Sequence, residues 1–123
     1  MQYAPLKSYL LAKPGAGLEF PFGEGAAVFK VAGKMFALVA WQETPVKISL
    51  KCDPDEAEAL RAAYPAVQPG YHLNKRHWIT VTLDGTIEKE EILEIIDSSY
   101  ALVHDALPKA VRMELETKAG QKA

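Results

Sequence analysis

From Val46 to Cys52 the chain alternates without a break: Val46, Ile48, Leu50 and Cys52 fall to one side, Lys47, Ser49 and Lys51 to the other. A period of two residues belongs to a strand with one buried and one open face. Directly after it come Asp53, Pro54, Asp55 and Glu56, a helix start in which Asp53 caps, Pro54 takes the first helical position and Glu56 completes a capping-box-like pair. A half-buried strand that runs straight into a helix calls for a sheet with helices laid over one face, and the other segments supply it.

Residues 26–32 and 34–41 are apolar runs about a turn at Ala32-Gly33, which is a hairpin signal. With the strand at Val46 they make a three-stranded antiparallel meander. Before the hairpin, Pro5, Leu6, Tyr9 and Leu10 at helical spacing predict a short helix ended by Pro14-Gly15. Residues 16–25, containing EFPFGEG, have too many breakers for regular structure and predict a loop with a short extended piece, its Phe20 and Phe22 plugging the core. The second helix runs to Tyr64 and stops at Pro65. Residues 69–83 open with a Pro-Gly turn and end in alternation from Ile79 to Leu83. Asp84-Gly85 is a turn and Thr86 a cap for a long helix that buries Ile92, Ile96, Tyr100, Val103 and Leu107. After Pro108, Val111 and Leu115 form a weak helical face before a polar tail, residues 118–123, expected to fray. The fold class predicted is α+β, a two-layer sandwich of order α-β-β-β-α-β(β)-α with a short C-terminal helix. An antiparallel sheet, the meander plus one or two further strands, carries the helices on one face. Residues 1–123 are read as a single domain, with 108–123 as a C-terminal extension.

No apolar run approaches the roughly 20 residues needed to cross a bilayer, so no membrane partner is expected. The start MQYAPLKSYLLAKPG lacks the basic start and continuous apolar centre of a signal peptide, which predicts a cytosolic protein. The lone Cys52 can form no intrachain disulfide and no Cys-type zinc site, and it continues the inward series of its strand. Among enzyme signatures, GEGAAV at residues 23–28 lacks the third glycine of a dinucleotide loop and leads into a strand, and HExxH, CxxC and GxSxG are missing. The expectation is a non-enzymatic protein without metal or cofactor. His72 and His77, five apart, point to opposite faces of one continuous strand and share a metal only if a turn intervenes at Asn74-Lys75.

The net charge is −2, which argues against a surface coated with cations. The distribution is uneven, however. Residues 26–52 hold four lysines against Glu43 alone, residues 69–83 add Lys75 and Arg76 with no acid, and residues 84–97 hold six acids against Lys89. The strands are basic and the helices acidic. With a two-residue hairpin turn Lys30 lies opposite Met35, and parity then sorts the strands. Phe29, Val31, Phe36 and Leu38 join Ile48, Leu50, Ile79 and Val81 beneath the helices. The open face receives Lys30, Val39, Trp41, Lys47, Lys51, Arg76 and Trp78. A bulge in either hairpin strand would flip this parity and remove Trp41. The residues expected to bind a partner are Trp78, Arg76, Lys75, His72, His77, Trp41, Lys47, Lys51 and Lys30, although parity also places His77 with the core set. Rings that stack bases at roughly 1–3 kcal/mol each, among lysines that neutralise phosphates, suit nucleic acid, weakly bound or single-stranded. The alternative is a protein-interaction or chaperone-like module that uses the same face for a peptide or for homodimerisation.

The chain resembles the MmcQ/YjbR family of small bacterial proteins. The resemblance is carried by EFPFG at residues 19–23, VFKVAGKMFALV at 28–39, KISLKCDP at 47–54, the ID-SY segment at 96–100 and, most specifically, PGYHLNKRHW at 69–78. It implies a compact α+β fold similar to the frataxin-like (CyaY-like) and secretion-chaperone-like sandwiches. It also implies a DNA-binding label for Lys75, Arg76, His77 and Trp78. The family pattern has asparagine after the tryptophan; this chain has Ile79, which by parity faces the core.

Overall fold

The computed structural model describes residues 1–122 and the side chains of residues 1–117. Its elements in chain order are α1 (Tyr3–Leu11), β1 (Ala16–Glu19), β2 (Ala27–Val31), β3 (Lys34–Ala40), β4 (Lys47–Lys51), α2 (Pro54–Ala63), β5 (Val67–Pro69), β6 (Trp78–Thr82), α3 (Lys89–Asp105) and α4 (Lys109–Lys122). The strands form one antiparallel sheet in the order β1-β2-β3-β4-β6-β5. Leu6 and Leu10 of α1 and Ile92, Ile95, Ile96 and Val103 of α3 meet Phe29, Ile48, Leu50, Ile79 and Val81 of the sheet in one apolar core, which also takes in Leu115 of α4. This is the α+β sandwich expected from the sequence.

Local chemistry sets several boundaries. Asp53 caps α2 by accepting from the Asp55 N–H at 3.0 Å, with Pro54 at the first helical position. The hairpin turn pairs Val31 with Lys34 and places Ala32 and Gly33 at φ of 48° and 79°. Both residues are left-handed, as the tight two-residue hairpin turn that follows strand twist requires.

The short extended piece expected within residues 16–25 is an edge strand, residues 16–19, paired with residues 28–31 of β2. Two expectations fail. Phe20 and Phe22 do not plug the core but stand 44% and 72% exposed. The loop after β1 closes as two successive turns, Gly23 N–H to Phe20 O and Ala26 N–H to Gly23 O, instead of folding back beneath the helices. Thr86 does not cap α3, since Asp84 accepts from both its N–H and its hydroxyl and the helix begins after Glu88. The expected fraying of residues 118–123 falls on side chains outside the described residues.

Candidate functional site

Which residues share the open face is decided by one irregularity in the β2–β3 ladder. Lys30 faces Met35 as the turn dictates, but Phe29 then faces Ala37, leaving Phe36 as an extra residue. Beyond this bulge the parity of β3 is reversed. Ala37 and Val39 turn to the helices opposite Leu50 and Ile48, while Leu38, opposite Ser49, and Ala40, opposite Lys47, turn to the open face. Val39 is therefore fully buried. Trp41 does not stand on the open face with Trp78. It stacks on Tyr3 of α1, ring centroids 5.4 Å apart, and donates its indole N–H to Glu24 O at 2.7 Å. Trp41 thus leaves the predicted site, and Leu38 enters the open face.

The open face is also less basic than the sequence promised. Lys30 is paired with Glu19 of β1 at 2.8 Å. Lys47 lies at the far end of the sheet, opposite Thr82, in a groove of about 410 Å³ that it shares with Glu43, Leu38, Ala40 and Tyr71. A buried Ser49–Thr80 hydrogen bond of 2.8 Å forms part of its floor.

The remaining predicted residues gather at the other end of the sheet, on the loop of residues 70–77 and the start of β6. Backbone chemistry builds this loop. A Cβ on Gly70 would lie 2.6 Å from Trp78 Cβ and 3.0 Å from its carbonyl oxygen, so only glycine allows the close approach that ends in the Gly70 N–H to Trp78 O bond of 2.9 Å. Tyr71 N–H donates to Thr80 Oγ1 at 3.0 Å, and His72 takes φ of 60°. Asn74 then accepts from Arg76 N–H through its side chain at 2.9 Å and from His77 N–H through its carbonyl at 3.2 Å. Lys75 reaches back to Gly70 O at 3.3 Å. The result is a fixed loop that displays Tyr71, His72, Lys75, Arg76 and His77 to solvent.

His77 is exposed rather than in the core, because β6 begins only at Trp78 and strand parity does not reach back to it. Its backbone carbonyl still accepts from Cys52 N–H at 2.8 Å, anchoring the loop to the end of β4. Trp78 is half-buried opposite Lys51. Tyr71, 71% exposed with its ring centroid 3.9 Å from that of His72, and Lys34, at the same sheet end, are surface residues that sequence reasoning did not place in the site. The antiparallel order of β3, β4 and β6 was the signal for Lys34. A turn does separate His72 from His77. Among the described residues no three His, Cys, Asp or Glu side chains stand where they could hold a metal ion together. No helix among them is long and apolar enough to cross a membrane.

Residues 11–102 match the family model YjbR. The Escherichia coli K12 protein YjbR, itself uncharacterised, is 38% identical over 112 residues covering 91% of this chain and 95% of its own. YbdF of Escherichia coli O157:H7, also uncharacterised, is 38% identical over 84% of each chain. The crystal structure of a Deinococcus radiodurans protein with the domain DUF419 superposes with a TM-score of 0.89 at 42% identity, covering 94% of this chain and 88% of that one. A Pseudomonas syringae protein superposes at 0.72 with 30% identity, over 84% of this chain and 99% of its own. The matched segment includes the bulged hairpin, the Gly70 turn and the fully buried Ile79, and the chain belongs to the YjbR family.

Proposed function

We propose that this chain is a non-enzymatic cytosolic protein that binds single-stranded nucleic acid through the 70–77 loop and the adjoining end of its sheet. The observation that carries the reading is the loop itself, held by its own backbone bonds while it displays two cations and three rings. No acid occurs from Ala59 to Leu83. Lys75 and Arg76 neutralise phosphates, and Tyr71, His72 and Trp78 offer rings on which bases stack. Single strands fit better than duplex. The helices that would have to enter a major groove are acidic in their first turns, Asp55 and Glu56 on α2 and Glu90 and Glu91 on α3.

If Lys75, Arg76 and Lys51 each meet one phosphate, log K falls with log salt with a slope of about −2. Fluorescence anisotropy with labelled oligothymidine across a salt series tests this. Replacing Lys75 and Arg76 together by alanine should weaken binding at least about tenfold and reduce the slope by about 1.4, while the melting temperature stays near that of the native chain. A folded native chain that binds no strand at low salt, or a double variant that binds as tightly as the native chain, would refute the reading.

The second reading, a protein-interaction module, is favoured by the bulge, which turns Leu38 and Ala40 onto the open face beside Pro69 and Tyr71 in the 410 Å³ groove. Its partner is an extended peptide or a second copy of the chain. Such an interface should hold as salt rises.

A further inference from the structure

Next to the loop, a pocket of about 440 Å³ opens between the carboxyl end of α3 and the ends of β3, β4 and β6. It lies within the size range of small-ligand sites. The groove on the open face carries Glu43, and the cleft beside the amino end of α3 carries Glu88. This pocket has no acid in its wall. Lys34, Lys51 and Trp78 line it together with Met35, Val103 and Leu107. Its side-chain polar groups are all donors. Among the described residues neither lysine ammonium makes an ion pair or hydrogen bond, and the indole N–H of Trp78 makes none, whereas that of Trp41 is satisfied by Glu24. The carboxyl end of α3 directs roughly half a negative charge into the same space. Two full positive charges exceed it and leave a net attraction for an anion.

We propose that this pocket binds a nucleotide phosphate monoester, its phosphate between Lys34 and Lys51 and its ring against the indole of Trp78 and the apolar wall of Met35, Val103 and Leu107. A dianionic monoester matches two ammonium groups, and its oxygens are the acceptors that the indole N–H and both lysines lack. The ligand is either a free mononucleotide or the phosphorylated end of a strand. The strand-end form rests on the nucleic-acid reading above, and the free-nucleotide form does not.

The test is NMR of the labelled full chain, whose two tryptophans give two indole signals, with Trp41 as the internal control. Adenosine monophosphate should move the Trp78 indole signal and the Lys34 and Met35 amides and leave the Trp41 indole in place, with adenosine and inorganic phosphate each much weaker. Lys34→Gln and Lys51→Gln should each weaken adenosine monophosphate about fivefold. An unmoved Trp78 signal at millimolar adenosine monophosphate, or an affinity unchanged in the folded chain carrying both Lys34→Gln and Lys51→Gln, overturns the proposal. Oligothymidine with and without a 5′-phosphate then separates the sources. Tighter binding of the phosphorylated strand, lost when Lys34→Gln and Lys51→Gln are combined, assigns the pocket to strand ends. Equal strand binding alongside a nucleotide shift assigns it to free nucleotides. Strand binding that needs Lys75 and Arg76, with no nucleotide effect, sinks the pocket and leaves the loop reading standing; nucleotide binding without strand binding does the reverse.

Discussion

Ser99 gives the sharpest test of how this fold sets its faces. It is fully buried in α3, and its hydroxyl donates to Phe36 O at 2.6 Å while accepting from Lys51 N–H at 2.8 Å. Ala37 faces Leu50, so Phe36 O and Lys51 N–H would form the next rung of the β3–β4 ladder. Phe36, however, is the extra residue of the bulge, and the ladder opens there. The serine hydroxyl fills the gap and satisfies both groups. Ser99→Ala leaves a carbonyl and an amide without partners, at about 1–3 kcal/mol for each buried group. Because Lys51 is only half-buried, water can partly solvate its amide, and the loss expected is about 2–4 kcal/mol. For 123 residues one kcal/mol corresponds to about 4 °C, so the melting temperature should fall by about 8–16 °C. Urea and thermal unfolding followed by circular dichroism measure the loss, and hydrogen exchange of the Lys51 amide locates it. A melting temperature within about 3 °C of native, with the Lys51 amide as protected as before, would refute the bridging role.

Ala32 sits at φ of 48°, where a side chain costs about 1–2 kcal/mol. Ala32→Asn creates the Asn-Gly pair that such turns favour and should stabilise by about 0.5–1 kcal/mol in urea unfolding; a neutral or negative change contradicts the turn assignment. Burial above all, with Glu56 and Asp53 nearby, pushes the Cys52 thiol up to about 11, so a thiol reagent near neutral pH should react only as the chain unfolds. Reaction of the folded chain at the rate of a free thiol would show that the site opens. At Asp97, burial pushes the carboxyl up, but hydrogen bonds from Lys13 and Tyr9 outweigh it and hold the group below its usual range. A depressed carboxyl stabilises above its unfolded value, about 3.9, and loses that contribution as pH falls through the folded value. Stability of the native chain should therefore drop more steeply in that window than stability of Asp97→Asn, by about 1 kcal/mol or less because the carboxylate is half exposed; parallel pH curves would remove the pair from the account.

What was legible in the sequence is what short-range chemistry determines. The alternation from Val46 to Cys52, the Asp53 cap and the Ala32-Gly33 turn each depend on a few neighbouring residues, and each lies where it was expected. The bulge was not legible. Phe36 and Ser99, whose hydroxyl bonds its carbonyl, are 63 residues apart, and no window over β3 contains that information. Everything inherited from the bulge was misplaced with it, including Val39, Trp41 and Leu38. His77 was misplaced for a related reason, since the start of β6 is fixed by Gly70 closing on Trp78 rather than by the run of alternating residues. The ID-SY segment could be read as a family mark but not as a device. In the fold it joins three elements: Asp97 holds Tyr9 and Lys13 at the end of α1, Ser99 bridges β3 and β4, and the Tyr100 hydroxyl donates to Pro14 O at 2.6 Å.

The same division runs through the PGYHLNKRHW block and bears on its use. Gly70 and Asn74 act through the backbone, by close approach and by a side-chain turn bond, and the fold explains them fully. Tyr71, His72, Arg76 and His77 are different. Among the described residues their side chains make no hydrogen bond and no ion pair, and the ring contact among them is that of Tyr71 with His72. Replacing an exposed, unbonded side chain alters stability by about 0.5 kcal/mol or less, so packing supplies no reason for four such residues to stand together beside Lys75. Fixed by their backbone and free in their side chains, these residues fit the nucleic-acid reading proposed above, in which an acid-free run of cations among rings meets an anionic partner with faces to stack.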